Sequence, residues 1–141
     1  MASHAIVAAM NILLAGAASM MIAALILAWV ATFSKLMVVQ SVAALIKDYG
    51  ALIRAHIDLL LMALLCFSLY ATRLPLPSAA CWPVVIGGFS NPCLFLIRAL
   101  DPRPSPGWPR KVFRMTSFVI TTIGHGWIAT SILMGLLGVI R

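Results

Sequence analysis

The sequence predicts an all-α membrane protein, a four-transmembrane-helix bundle forming a single domain. Two observations carry this. Of the 141 residues, 63% are apolar and only 9% charged, with no Glu at all, and the mean hydropathy is +1.09. A soluble domain carries about a quarter charged residues, so this chain could not keep its surface wet, and soluble and disordered classes are excluded. In addition, four apolar runs, each at or above the ~20 residues a membrane helix needs, alternate with short segments that hold most of the charge. With the spans subtracted, no length remains for a further soluble domain.

The first span is expected over 5–33, broken only by Asn11 and a few Ser and Thr. It lacks a basic leading region and stays apolar too long for a cleaved signal peptide. Segment 34–50 is amphipathic, with Lys35, Gln40, Lys47 and Asp48 among Leu, Met, Val and Ile. It either prolongs the first helix or lies in the membrane interface. The second span is expected over 51–72, followed by the Pro-rich turn Arg73-Leu-Pro-Leu-Pro-Ser78. The third is expected over 79–100. Pro92 within it removes one helix hydrogen bond and pushes on the Gly88 carbonyl, predicting a kink. Four prolines between Pro102 and Pro109 predict a stiff non-helical loop. The fourth span is expected over 112–140, with Arg141 as its terminal anchor.

The net charge of +7 reads as topology and contact with anionic lipid headgroups rather than as nucleic-acid binding, because the cations lie between apolar runs. Lys35, Lys47, Arg54, Arg98, Arg103, Arg110, Lys111 and Arg114 fall on one side of the expected bundle. Only Arg73 and Arg141 fall on the other. The positive-inside rule then places both termini away from the cytoplasm. Cys66, Cys81 and Cys93 show no metal-ligand spacing and read as buried thiols.

Titratable groups inside spans are costly and need a reason. Arg54-Ala-His56-Ile-Asp58 opens the second span. Arg54 and Asp58 are i,i+4 neighbours able to pair. His56 is either a snorkelling partner of that pair or a bundle-facing ligand for a metal or haem, its second nitrogen held by a carboxylate or carbonyl. His56 and Asp58 lie ~200° apart round a helix, so spacing alone does not bring them together. His125, flanked by Gly124 and Gly126, sits ~20 Å along the fourth helix from Val112. It is either bonded to a neighbouring helix, a second haem ligand or a proton donor lining a pocket. Ser90 and Asn91, beside Pro92, either reseal the kink or line a buried polar pocket. No Ser/His/Asp set, HExxH, CxxC, phosphate loop or carboxylate cluster is present. Any chemistry therefore has to come with a cofactor.

Arg-Ala-His56 opening the second of four spans, together with Gly88-Phe-Ser-Asn91-Pro-Cys-Leu-Phe95-Leu-Ile-Arg-Ala-Leu-Asp-Pro102, resembles the small membrane-bound styrene oxide isomerases. Ala55-His56-Ile-Asp58 is similar to the start of the same span in hydroxylaminobenzene mutases. The resemblance covers the four-span layout from about Asn11 to Gly138, and specific residues only in spans two and three. It implies a homotrimer in a bacterial inner membrane, with haem b between protomers. His56 would be the axial iron ligand, and Asn91 and Phe95 pocket residues. Arg54, Asp58 and His125 are further candidates near the cofactor. The haem propionates would be met by Arg54 or by Arg110, Lys111 and Arg114. The implied reaction is redox-neutral: iron acts as a Lewis acid on the oxygen of a small lipophilic epoxide, the ring opens, a hydride migrates and an aldehyde forms. Three positions depart from the isomerase pattern. Met62 stands where the family has Asn, Gly87 where it has Asp, and Phe95 where it has Tyr. The alternatives are a non-enzymatic haem-binding or accessory subunit of a larger membrane complex, and a small transporter. The last would want intramembrane polar groups on several helices.

Overall fold

A computed structural model describes residues 2–102 and 107–138, with side chains from Ile6 onward. The described residues form five helices and no strand: α1 (Ala2–Lys35), α2 (Gln40–Leu45), α3 (Tyr49–Thr72), α4 (Ser78–Leu100) and α5 (Trp108–Leu136). Four of them, α1, α3, α4 and α5, are long and apolar enough to cross a membrane. The loop cation Arg103 and the terminal anchor Arg141 lie outside the described residues.

The packing is that of a membrane bundle, with small residues inside and large apolar ones outside. Ala9, Ala17, Ala24, Ala55, Ala63, Ala80 and Ala99 are fully buried, whereas Ile22, Trp29, Leu64 and Phe118 are exposed. Lipid tails are as apolar as leucine, so helix association is driven by close backbone approach, which small side chains permit. Helices α1, α3 and α4 pack on one another, and α5 leans on α4. The most apolar window of α5 is only 11% buried, against 28–33% in the other three spans. Its outer face is therefore left to lipid or to another protein chain.

Several boundaries differ from expectation. The fourth span begins at Trp108, inside the segment expected to be loop, because Pro109 stands at the start of the helix. There the missing N–H costs nothing and the fixed φ favours the first turn. Helix α1 does not continue through segment 34–50. It ends at Lys35, and the chain turns through Val38, whose φ is +48°, a conformation rare for a β-branched residue. After the short α2, the Lys47 and Asp48 N–H groups both donate to the Ala99 carbonyl, at 2.8 and 3.1 Å. This clips the connection to the end of α4. Helix α4 runs on through Pro83 and Pro92. Cys66 and Cys81 are buried thiols as expected, but Cys93 is exposed, in a cleft that α4 forms with α1 and α3.

Asp48 starts α3. Its Oδ1 accepts from the Ala51 N–H at 2.9 Å, and its Oδ2 accepts from Arg98 Nε at 3.1 Å. The Ala51 bond holds the carboxyl below its usual pKa. Partial desolvation opposes this, and Arg98 and then Arg54 add to the lowering. A depressed carboxyl pKa stabilises the fold above the unfolded-chain value, and that contribution fades as pH falls through the folded one. Asp48→Asn keeps a cap acceptor but loses the charge. Wild type should exceed this variant in stability at neutral pH, and the gap should close as pH drops below the ordinary carboxylate range, about 4. Detergent unfolding midpoints across pH test this, and a gap that widens on acidification would contradict it.

Candidate functional site

His56 lies two turns into α3. Its Nδ1 is 2.8 Å from the Ala24 carbonyl of α1. A carbonyl oxygen only accepts, so Nδ1 carries the proton, and in the neutral ring Nε2 holds the lone pair. The contact exists because Ala24 is fully buried and Ala55, beside His56, is too, which brings the two backbones together. A ligating histidine is typically prepared in this way: one ring nitrogen donates to a fixed acceptor and the other is left to bind. Leu59, one turn further along α3, lines an apolar cleft of about 190 Å³ together with Ala23 and Leu27 of α1 and Phe89 and Pro92 of α4.

The Arg54–Asp58 ion pair that the i,i+4 spacing allows does not form among the described residues, where the ion pairs are Asp48–Arg98 and Asp101–Arg110. Arg54 is exposed, Asp58 is half-buried, and Arg54 adds to the field at Asp48 instead. The N-cap carboxylate is the one fixed in place.

His125 turns back on its own helix, with Nδ1 2.8 Å from the Thr121 carbonyl. Its Nε2 is buried with no hydrogen-bond partner among the described residues. The two histidines are not brought together within one chain. Gly124 packs on Pro83 and Val84, toward the start of α4. Gly88 has Met62 beside it, and His56 lies six residues before Met62, toward the other end of the bundle. The rings are therefore roughly 15 Å apart along the helix axes, and α4 stands between α3 and α5. Arg110, Lys111 and Arg114 are on α5, likewise beyond α4 from His56.

Asn91 faces α5, not His56. The buried Ser117 hydroxyl donates to Asn91 Oδ1 at 2.9 Å, and Ser90 and Ser117 share a hydrogen bond of 2.8 Å. With the Ser117 proton committed to Asn91, Ser90 is the donor in that pair. Phe95, one turn on, lines a groove between the end of α4 and the start of α5. Sequence reasoning missed Ser117. The available signal was the polar and small series Ser117, Thr121 and Gly124 at helical spacing, opposite the similar series Gly87 and Asn91.

Two of the three departures from the isomerase pattern, Gly87 and Met62, have structural consequences. Gly87 abuts Thr121, whose Cα would lie 2.8 Å from an added Cβ, so no side chain fits. Gly88 receives the Met20 side chain, with Cε 2.5 Å from where a Cβ would stand, and Met62 beside it. The interior at this level is filled by thioether side chains. Among the described residues no group of three His, Cys, Asp or Glu is placed to hold a bare metal ion. Haem iron needs only one protein ligand, so the lack of such a group is no bar to it. No family model, curated protein or solved structure matches this chain.

Proposed function

We propose that this chain is a membrane-embedded haem-b protein of the isomerase type, with His56 as the iron ligand through Nε2. The observation that carries this reading is the His56–Ala24 bond, which fixes the tautomer a ligand needs. Bound haem b would supply a Lewis-acidic iron for the redox-neutral rearrangement of a small lipophilic epoxide to an aldehyde. His56 would orient the group, and the exposed Arg54 would offer a guanidinium to a propionate. Asn91 and Phe95 belong to a different face of the same chain from His56. A site containing all three therefore requires two copies side by side, and this supports self-association, as the trimer that the resemblance implies. The thinly buried α5 offers the surface for it.

A second reading, a haem-binding subunit without isomerase activity, is favoured by the packing of Met20 and Met62 against Gly88, which leaves no polar pocket at that depth. One experiment separates the two. The protein purified in detergent from haem-replete cells is scanned for a Soret band and then given an aryl epoxide. A Soret band with aldehyde formation is expected. A band without aldehyde selects the second reading, and no bound haem overturns both.

The distribution of Lys and Arg supports a bacterial inner-membrane orientation with both termini outside the cytoplasm. Single cysteines at Ser3 and Ser105 in a background without native cysteines test it. Membrane-impermeant thiol reagent should label position 3 and spare position 105 in intact cells, and the opposite pattern would invert the topology.

A further inference from the structure

We propose that the groove between the end of α4 and the start of α5 binds one anionic phospholipid, its phosphate on an arginine rim and an acyl chain on the apolar floor. The groove measures about 700 Å³. Phe95, Ile97 and Phe113 supply the floor, and Arg98, Arg110 and Arg114 stand at the rim. Within one chain it lies beyond α4 from His56; Phe95 is common to this groove and to the two-copy site proposed above, and lipid retention is read without haem.

The charge at the rim is only partly spent. Arg98 gives its Nε to Asp48 at 3.1 Å, and Arg110 gives Nη2 to Asp101 at 2.8 Å. A guanidinium has five N–H donors, so Arg98 keeps donors beyond its bond to Asp48. Arg114 has no carboxylate within ion-pair distance among the described residues. Three guanidiniums against two carboxylates leave net positive charge over an apolar floor. The planar donor fork of arginine matches phosphate oxygens in pairs.

The floor argues for an amphiphile over a free anion, because phosphate alone makes no use of two phenylalanines and an isoleucine. Depth argues for a lipid. Trp108, 76% exposed at the start of α5, has the character of an interfacial anchor at headgroup level. Arg110 and Arg114 follow within two turns of it on α5, with Phe113 at the same level and Phe95 one turn inward from Arg98 on α4. Fixed arginine sites at this depth select anionic lipids over zwitterionic ones.

Native mass spectrometry of the detergent-solubilised protein tests the site, with phosphatidylglycerol, phosphatidylcholine or inorganic phosphate added separately. Wild type should retain one phosphatidylglycerol per chain in preference to phosphatidylcholine, and equimolar inorganic phosphate should not displace it. Arg114→Gln should lower retention about five-fold or more with helical content unchanged. Lys111→Gln removes the same charge from an exposed position outside the groove and should leave retention intact. Equal loss in the two variants, equal retention of both lipids, or displacement by inorganic phosphate would overturn the proposal. If Arg114→Gln fails to fold, Arg114→Lys replaces it. This variant keeps the charge but loses the fork, and full retention would overturn the bidentate role.

Discussion

His56→Ala abolishes the Soret band of the purified protein, and His125→Phe leaves it in place: this is the expected result with the largest consequence for function. The two histidines differ in what their second nitrogen can do. The Nδ1 of His56 is tied to another helix through Ala24, so the ring is held from outside its own helix and Nε2 is positioned as a lone-pair donor. The Nδ1 of His125 is tied to Thr121 in its own helix, and its Nε2 is buried without a partner among the described residues. An unsatisfied buried nitrogen costs about 1–3 kcal/mol. Replacing that ring by phenylalanine of similar shape should therefore leave stability equal or raised. Added imidazole should restore part of the Soret band to His56→Ala by occupying the vacated space, which a merely structural role for His56 would not produce. A His56→Ala protein with unaltered haem ligation would remove the functional reading. Destabilisation by His125→Phe would show that Nε2 has a partner, such as a second copy of the chain.

How far each feature was legible in the sequence follows from its physical cause. The four spans are set by length and apolarity alone, and both can be read along the chain. The start of α5 was misplaced because four nearby prolines signal a loop, while the last of them, Pro109, is also a favoured helix starter. His56 was legible as a candidate by residue type and position. Its partner was not, because a backbone carbonyl such as that of Ala24 leaves no mark in the sequence. The separation of His56 from His125, Asn91 and Phe95 depends on which helices touch and at what depth. Periodicity gives a helix its faces but does not say which neighbour each face meets. The Arg54–Asp58 pair that spacing allows shows the same limit. Its i,i+4 spacing was correct, but Asp48 holds the ordered carboxylate by capping α3.

The contact between α4 and α5 should fail outright when Gly124 is given a side chain. An added Cβ there would lie 2.7 Å from the Val84 nitrogen and 2.8 Å from the Pro83 carbonyl carbon. Both are backbone atoms of a helix and cannot rotate away as a side-chain tip would. Because α5 leans chiefly on α4, the strain cannot be shared with other interfaces. Gly124→Leu should cost about 3 kcal/mol, at the upper end for overpacking, read as a lower midpoint in detergent unfolding. Gly126→Leu is the control: nothing lies within 4 Å of its added Cβ, and a helix interior prefers leucine to glycine, so the midpoint should hold or rise. Equal effects at the two positions would show that α5 is not seated on α4 through Gly124. The same geometry governs any attempt to introduce residues of the isomerase pattern. Gly87→Asp would drive its side chain against Thr121 on the α5 backbone, so it should separate the helices before it supplies a carboxylate. Met62→Asn changes a residue beside Gly88 without that obstruction. Of the two substitutions, Met62→Asn should be the less destabilising, and it is therefore the one whose effect on aldehyde formation can be read as chemistry.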